Sequence, residues 1–292
     1  MEDNMKIIGI LGILLLAYVI WQYMELQKFA VTEYQVKTKK LGHPVRLAVL
    51  ADLHSHEYGR DNVRLLAEIR RQKPDVILIA GDMIVSAKVN RYPVAAAFLQ
   101  ELCKIAPVYL ANGNHEARVD LVESPYYEAY RTYRAQIAEA GVHLLENQKE
   151  ELPVAGGTLA VYGLDIPLKC YEKGHVNPLP ENFLPENLGS PKKENFNILL
   201  AHNPVYIPEY TAWGCDLSLS GHMHGGLVRI PGIGSVISPQ FQFFPKYDAG
   251  RFDENGSTAI ISRGLGTHTF HIRIFNRAEL VMVQLEPDKA GA

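Results

Sequence analysis

Five apolar, strand-like runs in this chain each stop at a residue carrying an oxygen or imidazole side chain, and that recurrence constrains the fold more than any other feature. Residues 45–51 stop at Asp52-Leu53-His54, residues 75–80 at Gly81-Asp82, and residues 108–111 at Gly113-Asn114-His115-Glu116. Residues 196–200 run into Ala201-His202-Asn203-Pro204, and residues 216–220 into Gly221-His222-Met223-His224. Runs this uniformly apolar are expected where both faces of a sheet are covered, and a tip-to-tip spacing of about 30 residues suits right-handed βαβ crossovers. Helical patterns fill the intervals. One has Asp61 as N-cap and runs through Leu65, Leu66 and Ile69; one has Pro93 in its first turn and ends near Lys104; one spans Ser124-Pro125 to Gly141. The first half therefore reads as a doubly wound α/β layer. Residues 158–162, 257–262 and 278–285 are strand-like with no long helices between the last two, which predicts a second, more antiparallel sheet.

In open α/β sheets ligands bind beyond the carboxyl ends of the strands, and here those ends carry Asp52, His54, Asp82, Asn114, His115, His202, His222 and His224. Each has an ordinary explanation alone: an aspartate caps a helix, an asparagine takes a turn, a histidine is hydrogen-bonded in a core. Turn chemistry would be met as well by Ser, Thr or Gly, so five tips all ending in metal-ligand side chains point to a shared site. His222 and His224, two apart in an extended segment between glycines, can face one cavity. Two carboxylates would leave a pair of divalent cations with about +2 net charge, which attracts a phosphate anion. Imidazole and oxygen donors without thiolate suit Mn, Fe, Zn or Co.

The N-terminus differs in kind. Residues 7–23 are almost wholly apolar and uncharged, close to the ~20 residues needed to cross a bilayer, with Trp21 and Tyr23 at the end where an interface would lie. The charged start is thin and no small-x-small cleavage site follows, so an uncleaved anchor is expected rather than a signal peptide. Lys28, Lys37, Lys39 and Lys40 follow the span, which leans toward a cytoplasmic catalytic domain. The expected division is an anchor over 1–25, a linker over 26–44, one catalytic domain over 45–286 and a tail over 287–292. A net charge of -3 argues against a nucleic-acid coat protein, and the three scattered cysteines suggest neither a disulfide framework nor a thiolate zinc site. A monomer is expected. Residues 165–194 form a periodless stretch rich in Pro, Asn, Lys and Glu, of the kind that is functional or flexible.

Taken in order, Asp52/His54, Gly81-Asp82, Gly113-Asn114-His115-Glu116, His202 and Gly221-His222-Met223-His224 resemble the blocks of the calcineurin-like metallophosphoesterases. The resemblance implies an α/β-β/α sandwich of two mixed sheets flanked by helices, here preceded by one transmembrane helix. It implies two divalent metal ions: Asp52, His54 and His224 on one, Asn114, His202 and His222 on the other, Asp82 bridging. It implies a phosphohydrolase in which a metal-bridging hydroxide attacks phosphorus in line, His115 protonates the leaving oxygen or stabilises the transition state, and Glu116 orients the His115 ring. Many relatives carry Asp three residues after the bridging carboxylate; this chain has Val85 there, leaving that support in doubt. His56 is extra to the pattern and reads as a surface or substrate contact.

The anchor, the His202-Asn203-Pro204 block, residues 244–250 and residues 262–266 resemble a bacterial membrane-associated phosphodiesterase subgroup. Some relatives cleave the pyrophosphate of a UDP-diacylglucosamine-type substrate in lipid A synthesis. A phosphorylated small-molecule or lipid substrate is therefore expected, with Arg263, Lys246 or Arg251 meeting phosphate and Phe241, Phe243 and Phe244 either packing or lining an acyl groove. A phosphomonoesterase or protein phosphatase, or an inactive metal-binding scaffold, are the alternatives.

Overall fold

The structure is a computed structural model and describes residues 2–226, 228–267 and 271–288. A long helix, α1 (Glu2–Leu26), leads into strand β1 (Phe29–Thr38). Strands β2 (Val45–Leu50), β3 (Val76–Ala80), β4 (Val108–Ala111) and β5 (Val142–Leu145) then alternate with helices α2 (Val63–Gln72), α3 (Tyr92–Cys103) and the pair α4 (Asn114–Val119) and α5 (Tyr127–Glu139). A second sheet begins with β6 (Gln148–Val154) and β7 (Gly157–Leu164). It continues through α6 (Phe183–Leu188), β8 (Phe196–Ala201), α7 (Ile207–Trp213) and β9 (Leu217–Ser220). The hairpin β10 (Val228–Ile230) and β11 (Gly234–Ile237) projects from it, before β12 (Gly250–Glu254), β13 (Ser257–Ile261) and the returning β14 (Ala278–Pro287).

The first sheet has the order β1-β14-β2-β3-β4-β5 and the second β12-β13-β9-β8-β7-β6. Strands β2 to β5 are mutually parallel, while β14 runs antiparallel to β2 and parallel to β1. The second sheet is the more antiparallel of the two, as expected, but only at its edges: β7, β8, β9 and β13 are parallel neighbours, and the edge strands β6 and β12 run the other way, against one antiparallel pair, β14 with β2, in the first sheet. Short helices α6 and α7 are enough for the crossovers, which is why long helical patterns were missing.

Three buried clusters define the layers. Leu50, Ile77, Ile79, Phe98 and Leu99 fill the space between the first sheet and its helices. Leu47, Val49, Leu78, Ile198 and Leu219 interdigitate between the two sheets. Tyr162, Leu199, Tyr206 and Tyr210 pack the second sheet against α6 and α7. Both faces of β3 and β8 are thus covered, and every residue in each is buried, which explains the unbroken apolar run of β3 and that of β8, interrupted only by Asn197.

Two further expectations change. The segment 26–44 is not a linker throughout, because residues 29–38 pair in register with β14 along its whole length. Helix α2 starts at Val63 rather than after an Asp61 cap; Asp61 and Asn62 are both left-handed, and the Asn62 side chain accepts from Tyr58 N (2.9 Å) instead. Most of the expected tail lies outside the described residues, and β14 runs to Pro287.

Candidate metal centre and active-site cavity

The tips of β2, β3, β4, β8 and β9 converge on one buried cage. Asp52, His54, Asp82, His222 and His224 all have positive φ, between 50 and 67°, a region that non-glycine residues seldom occupy. Backbone bonds between tips hold them there: Asp52 N donates to Gly81 O (3.0 Å), His54 N to Asp82 O (3.0 Å) and Gly221 N to His202 O (3.1 Å). Glycine is required where tips touch. A Cβ on Gly113 would overlap Asp82 Oδ1, and one on Gly221 would overlap Asp52 Oδ2.

Within the cage, Asp52 accepts from His222 N (3.1 and 3.0 Å) and Asp82 Oδ1 from His115 N (2.8 Å). His202 Nδ1 faces the Ala80 carbonyl at 2.6 Å and so carries a proton. Its other nitrogen, Nε2, points at Asp82 Oδ2 (3.2 Å) and Asp52 Oδ1 (3.7 Å). His54 Nε2 and His224 Nε2 face each other at 3.1 Å, with Asp52 Oδ1 at 3.8 and 3.4 Å from them. Asn114 meets His222 Nδ1 through its amide at 2.9 Å, and that amide and Arg118 are also neighbours.

Lone pairs facing lone pairs at such distances need a positive charge between them, a proton or a cation. The proton version is visible in the charge balance. Burial disfavours the His202 imidazolium, yet the carboxylates of Asp82 and Asp52 outweigh it and push its pKa up to about 10. Burial raises Asp52 to about 7 despite His202 beside it. Burial also works against the Asp82 carboxylate, but the surrounding imidazoles of His202, His115 and His54 hold it well below the usual range. Asp52, His54 and His224 offer ligand atoms within 4.8 Å of one another, as do Asp52, Asp82 and His202, so the donors fit cations. All are nitrogen or oxygen; Cys170 and Cys215 are buried in the core of the second sheet instead.

This cage extends the sequence match. A family model for the calcineurin-like phosphoesterases matches residues 45–226. The chain belongs to that family. It is 24% identical to an uncharacterized metallophosphoesterase, YkuE, of Bacillus subtilis, over 91% of this chain and 88% of the relative. It is 27% identical to the phosphodiesterase YaeI of Escherichia coli, over 83% of this chain and 82% of that one. Among solved structures, the sulfate thiohydrolase SoxB of Thermus thermophilus overlays with a TM-score of 0.50 at 14% identity, covering 76% of this chain and 52% of that chain, a likeness of fold alone. As a calcineurin-like phosphoesterase the protein is a hydrolase of phosphoric esters, from a dimetal-dependent family.

The phosphoesterase cage opens into a cavity of about 360 Å³. Asn114, His115, His222 and His224 form its floor, Arg118, Lys173 and Arg273 bring positive charge, and Phe241 and Ile272 give it an apolar wall. The cations expected from sequence are elsewhere. Lys246 is bound to Glu254 (2.6 Å) and Tyr247 (2.7 Å), Arg251 to Asp253 (2.9 Å), and Arg263 lies 3.8 Å from Glu279; none lines this cavity. Phe241 does reach it, whereas Phe243 and Phe244 stand on the outer surface. His56 donates to the Leu26 carbonyl (3.0 Å) at the foot of α1, so it secures the helix rather than a substrate.

The residues missed by sequence reasoning share no motif. Arg118 is one turn after Asn114 on α4 and could have been found from that spacing. Tyr171, whose ring edge meets His222 at 4.9 Å between centroids, and Lys173 come from the periodless 165–194 stretch. Arg273 is buried and donates to the carbonyls of Gly264 and Gly266 (3.1 and 2.8 Å), behind Asp52.

Glu116 is not what its place beside His115 suggests. Its carboxylate accepts from the amides of Gly113 (3.0 Å), Asp82 (2.9 Å), Met83 (2.8 Å) and Ile84 (3.2 Å), clamping the β3 tip to the start of α4. Burial, with the Asp82 charge nearby, raises its pKa to about 8. The ring of His115 is instead met by Ser86, through N (3.0 Å) and Oγ (2.7 Å) at Nδ1. Glu116→Ala would leave four buried amides without acceptors, and we expect a loss of about 3 kcal/mol or more in stability. Denaturant unfolding of metal-free protein checks this; an unchanged midpoint would show that the clamp is dispensable.

Proposed function

We propose that the protein is a membrane-anchored hydrolase of phosphodiester or pyrophosphate bonds. The observation carrying this reading is the cavity itself: it continues past the cage into a cationic and apolar chamber, leaving room for a second substituent on the reacting phosphorus. The name of the Escherichia coli relative, a phosphodiesterase, points the same way. A UDP-diacylglucosamine-type pyrophosphate falls within this class, and so do simpler lipid phosphodiesters.

In this reading Asp52, His54 and His224 would hold one divalent ion and Asn114, His202 and His222 the other, with Asp82 available to both. Bound there, Mn, Fe, Zn or Co would supply Lewis-acid charge and acidify the attacking water. Arg118 and Lys173 attract the anionic substrate toward the cage, Asp82 positions His115 through the His115 N bond, and His115 offers its Nε2 N–H as a hydrogen bond to the oxygen that gains charge as it leaves. Phe241 and Ile272 keep water from the far side of the scissile bond.

The anchor reading rests on α1. Residues Asn4–Leu26 are long and apolar enough to cross a membrane and are almost entirely exposed. Its foot is docked: Gln22 is buried and pairs with the Arg273 backbone in both directions (3.4 and 3.0 Å), and Glu25 binds Arg277 (2.6 Å). The docking of its foot against the cavity wall supports a retained element over a discarded leader, and mass spectrometry of the membrane-bound protein should find residues 2–26 still attached.

The substrate class is tested with the full chain in detergent, loaded with Mn. Turnover of bis-p-nitrophenyl phosphate should exceed that of p-nitrophenyl phosphate by about tenfold or more; a preference for the monoester would replace this reading with a phosphomonoesterase. Loading should also depend on pH. His202, up near 10, and Asp52, near 7, hold protons in the metal-free cage, and ligation requires both to leave. Metal binding at pH 7 should therefore release at least about one proton per chain and weaken as pH falls. Calorimetry in two buffers of different ionisation enthalpy reads this directly, and equal heats would contradict it.

A further inference from the structure

Around the cavity mouth lies an apolar surface that neither the cage nor the core uses. Phe243, Phe275 and Ile233 are 71%, 69% and 68% exposed, far beyond what isolated surface hydrophobics require. They come from three separate segments that the backbone knits together. The β10 strand joins residues 272–275 through Arg229 N donating to Ile274 O (3.4 Å) and through a bridge between Val228 and Ile274. The loop carrying the phenylalanines joins β11 through a bridge between Ile237 and Phe243 and through Phe244 N donating to Val236 O (3.1 Å). Val228, Ile230 and Ile272 add further exposed apolar area to the same continuous surface.

Where this surface lies identifies what covers it. Arg273, between Ile272 and Ile274, is the residue whose backbone clasps Gln22 of α1, and Arg277 grips Glu25 one turn further on. The apolar strip 272–275 thus abuts the foot of the helix proposed to enter the bilayer, and the hairpin and phenylalanine loop extend outward from that foot. The cations nearby suit headgroups: Lys173 stands 4.9 Å over the Phe241 ring, and Lys246, paired with Glu254, still leaves most of its side chain exposed beside Phe244 and Pro245. Aromatic and aliphatic tips flanked by lysines are the pattern of a surface that lies in the membrane interface.

We propose that this surface, formed by residues 272–275, the β10–β11 hairpin and Phe243–Phe244, seats in the headgroup region of the lipid bilayer, so that the active-site cavity opens directly onto the membrane. It rests on the reading of α1 as an anchor and deepens it. The docked helix holds the domain at one point, and the second contact sets the mouth against the lipid. Ile272 and Phe241 belong to the cavity wall and lie next to this surface, which gives a continuous apolar path from the bilayer to the cage. The substrate class that follows is an amphiphile whose phosphorus lies at headgroup level and whose acyl chains stay in the membrane while the bond is cut.

The test uses the full chain reconstituted in vesicles of phosphatidylcholine and phosphatidylglycerol, with photoreactive benzoylphenylalanine replacing one residue at a time. The positions are Leu15 within α1, Phe243 and Phe275 on the surface, and Glu139 at the end of α5, on the opposite edge of the first sheet from the cage. After irradiation, mass spectrometry should find lipid adducts at 15, 243 and 275 and none at 139. Adducts at 15 without any at 243 and 275 would overturn the docking surface and leave the anchor standing. Protein-to-protein adducts at 243 and 275 would make the surface an interface between copies of this chain, which also overturns the proposal. Absence of adducts at 15 would remove the anchor and the docking surface together.

Discussion

Asp82→Asn should lower turnover by about 10³-fold or more, the equivalent of roughly 4 kcal/mol in the barrier, and reduce bound metal from two equivalents toward one. The substitution is close to a pure charge deletion. Asparagine has the same shape, tolerates the left-handed backbone that Asp82 adopts, and keeps an oxygen to accept from His115 N. What it removes is the charge between His202 Nε2 (3.2 Å) and His54 Nε2 (3.9 Å). Asp82 is fully buried and stays ionised only because imidazoles surround it, so its charge is the part of the site most dependent on the cage and most needed by it. Elemental analysis after Mn loading, with far-ultraviolet circular dichroism to confirm the fold, separates loss of a metal from loss of structure. Two retained equivalents with wild-type turnover would show that Asp82 bridges nothing.

Much of this site was legible because buried parallel strands leave a plain signature. Residues 76–80 are apolar throughout and 196–201 are apolar but for Asn197, since both faces are covered, and the abrupt change at Asp82 and His202 then marks the sheet's carboxyl edge. Strand β1 was not legible: it is an edge strand, half exposed, and its partner β14 lies at the far end of the chain, so nothing local announces the pairing. The direction of Glu116 was hidden for a geometric reason. Adjacent residues on a helix project about 100° apart, so a carboxylate next to His115 in sequence faces the β3 tip while the imidazole faces the cage. The positive lining failed similarly, because Lys246 and Arg251 are in loops and strands whose acidic neighbours, Glu254 and Asp253, claim them first. Val85 stands where many relatives were expected to have a carboxylate, and Ser86, one residue later, is the residue that meets the His115 ring.

That contact sets the chemistry expected of His115. A backbone N–H can only donate, so Ser86 N at 3.0 Å makes His115 Nδ1 an acceptor, and the neutral ring carries its proton on Nε2. Burial pushes the pKa of the ring down, opposed by the Asp82 charge, so at pH 7 His115 is a neutral donor rather than an imidazolium. Its ligand atom lies within 4.8 Å of those of His54 and Asp82, near enough to be taken for a third metal ligand. A protonated Nε2 has no lone pair for a cation, and the same N–H is well placed for the oxygen leaving phosphorus. His115→Asn should therefore retain two equivalents of metal while turnover falls by about 10² to 10⁴-fold. The deficit should be larger for a diester with an alkyl leaving group than for one releasing p-nitrophenolate, since a stable anion depends less on a hydrogen bond as it departs. Ser86→Ala, which keeps the backbone donor and removes only Oγ, should lose less than His115→Asn on the same two substrates. Loss of a metal equivalent in His115→Asn would make the residue a ligand, and equal deficits for both leaving groups would remove its role as hydrogen-bond donor to the leaving oxygen.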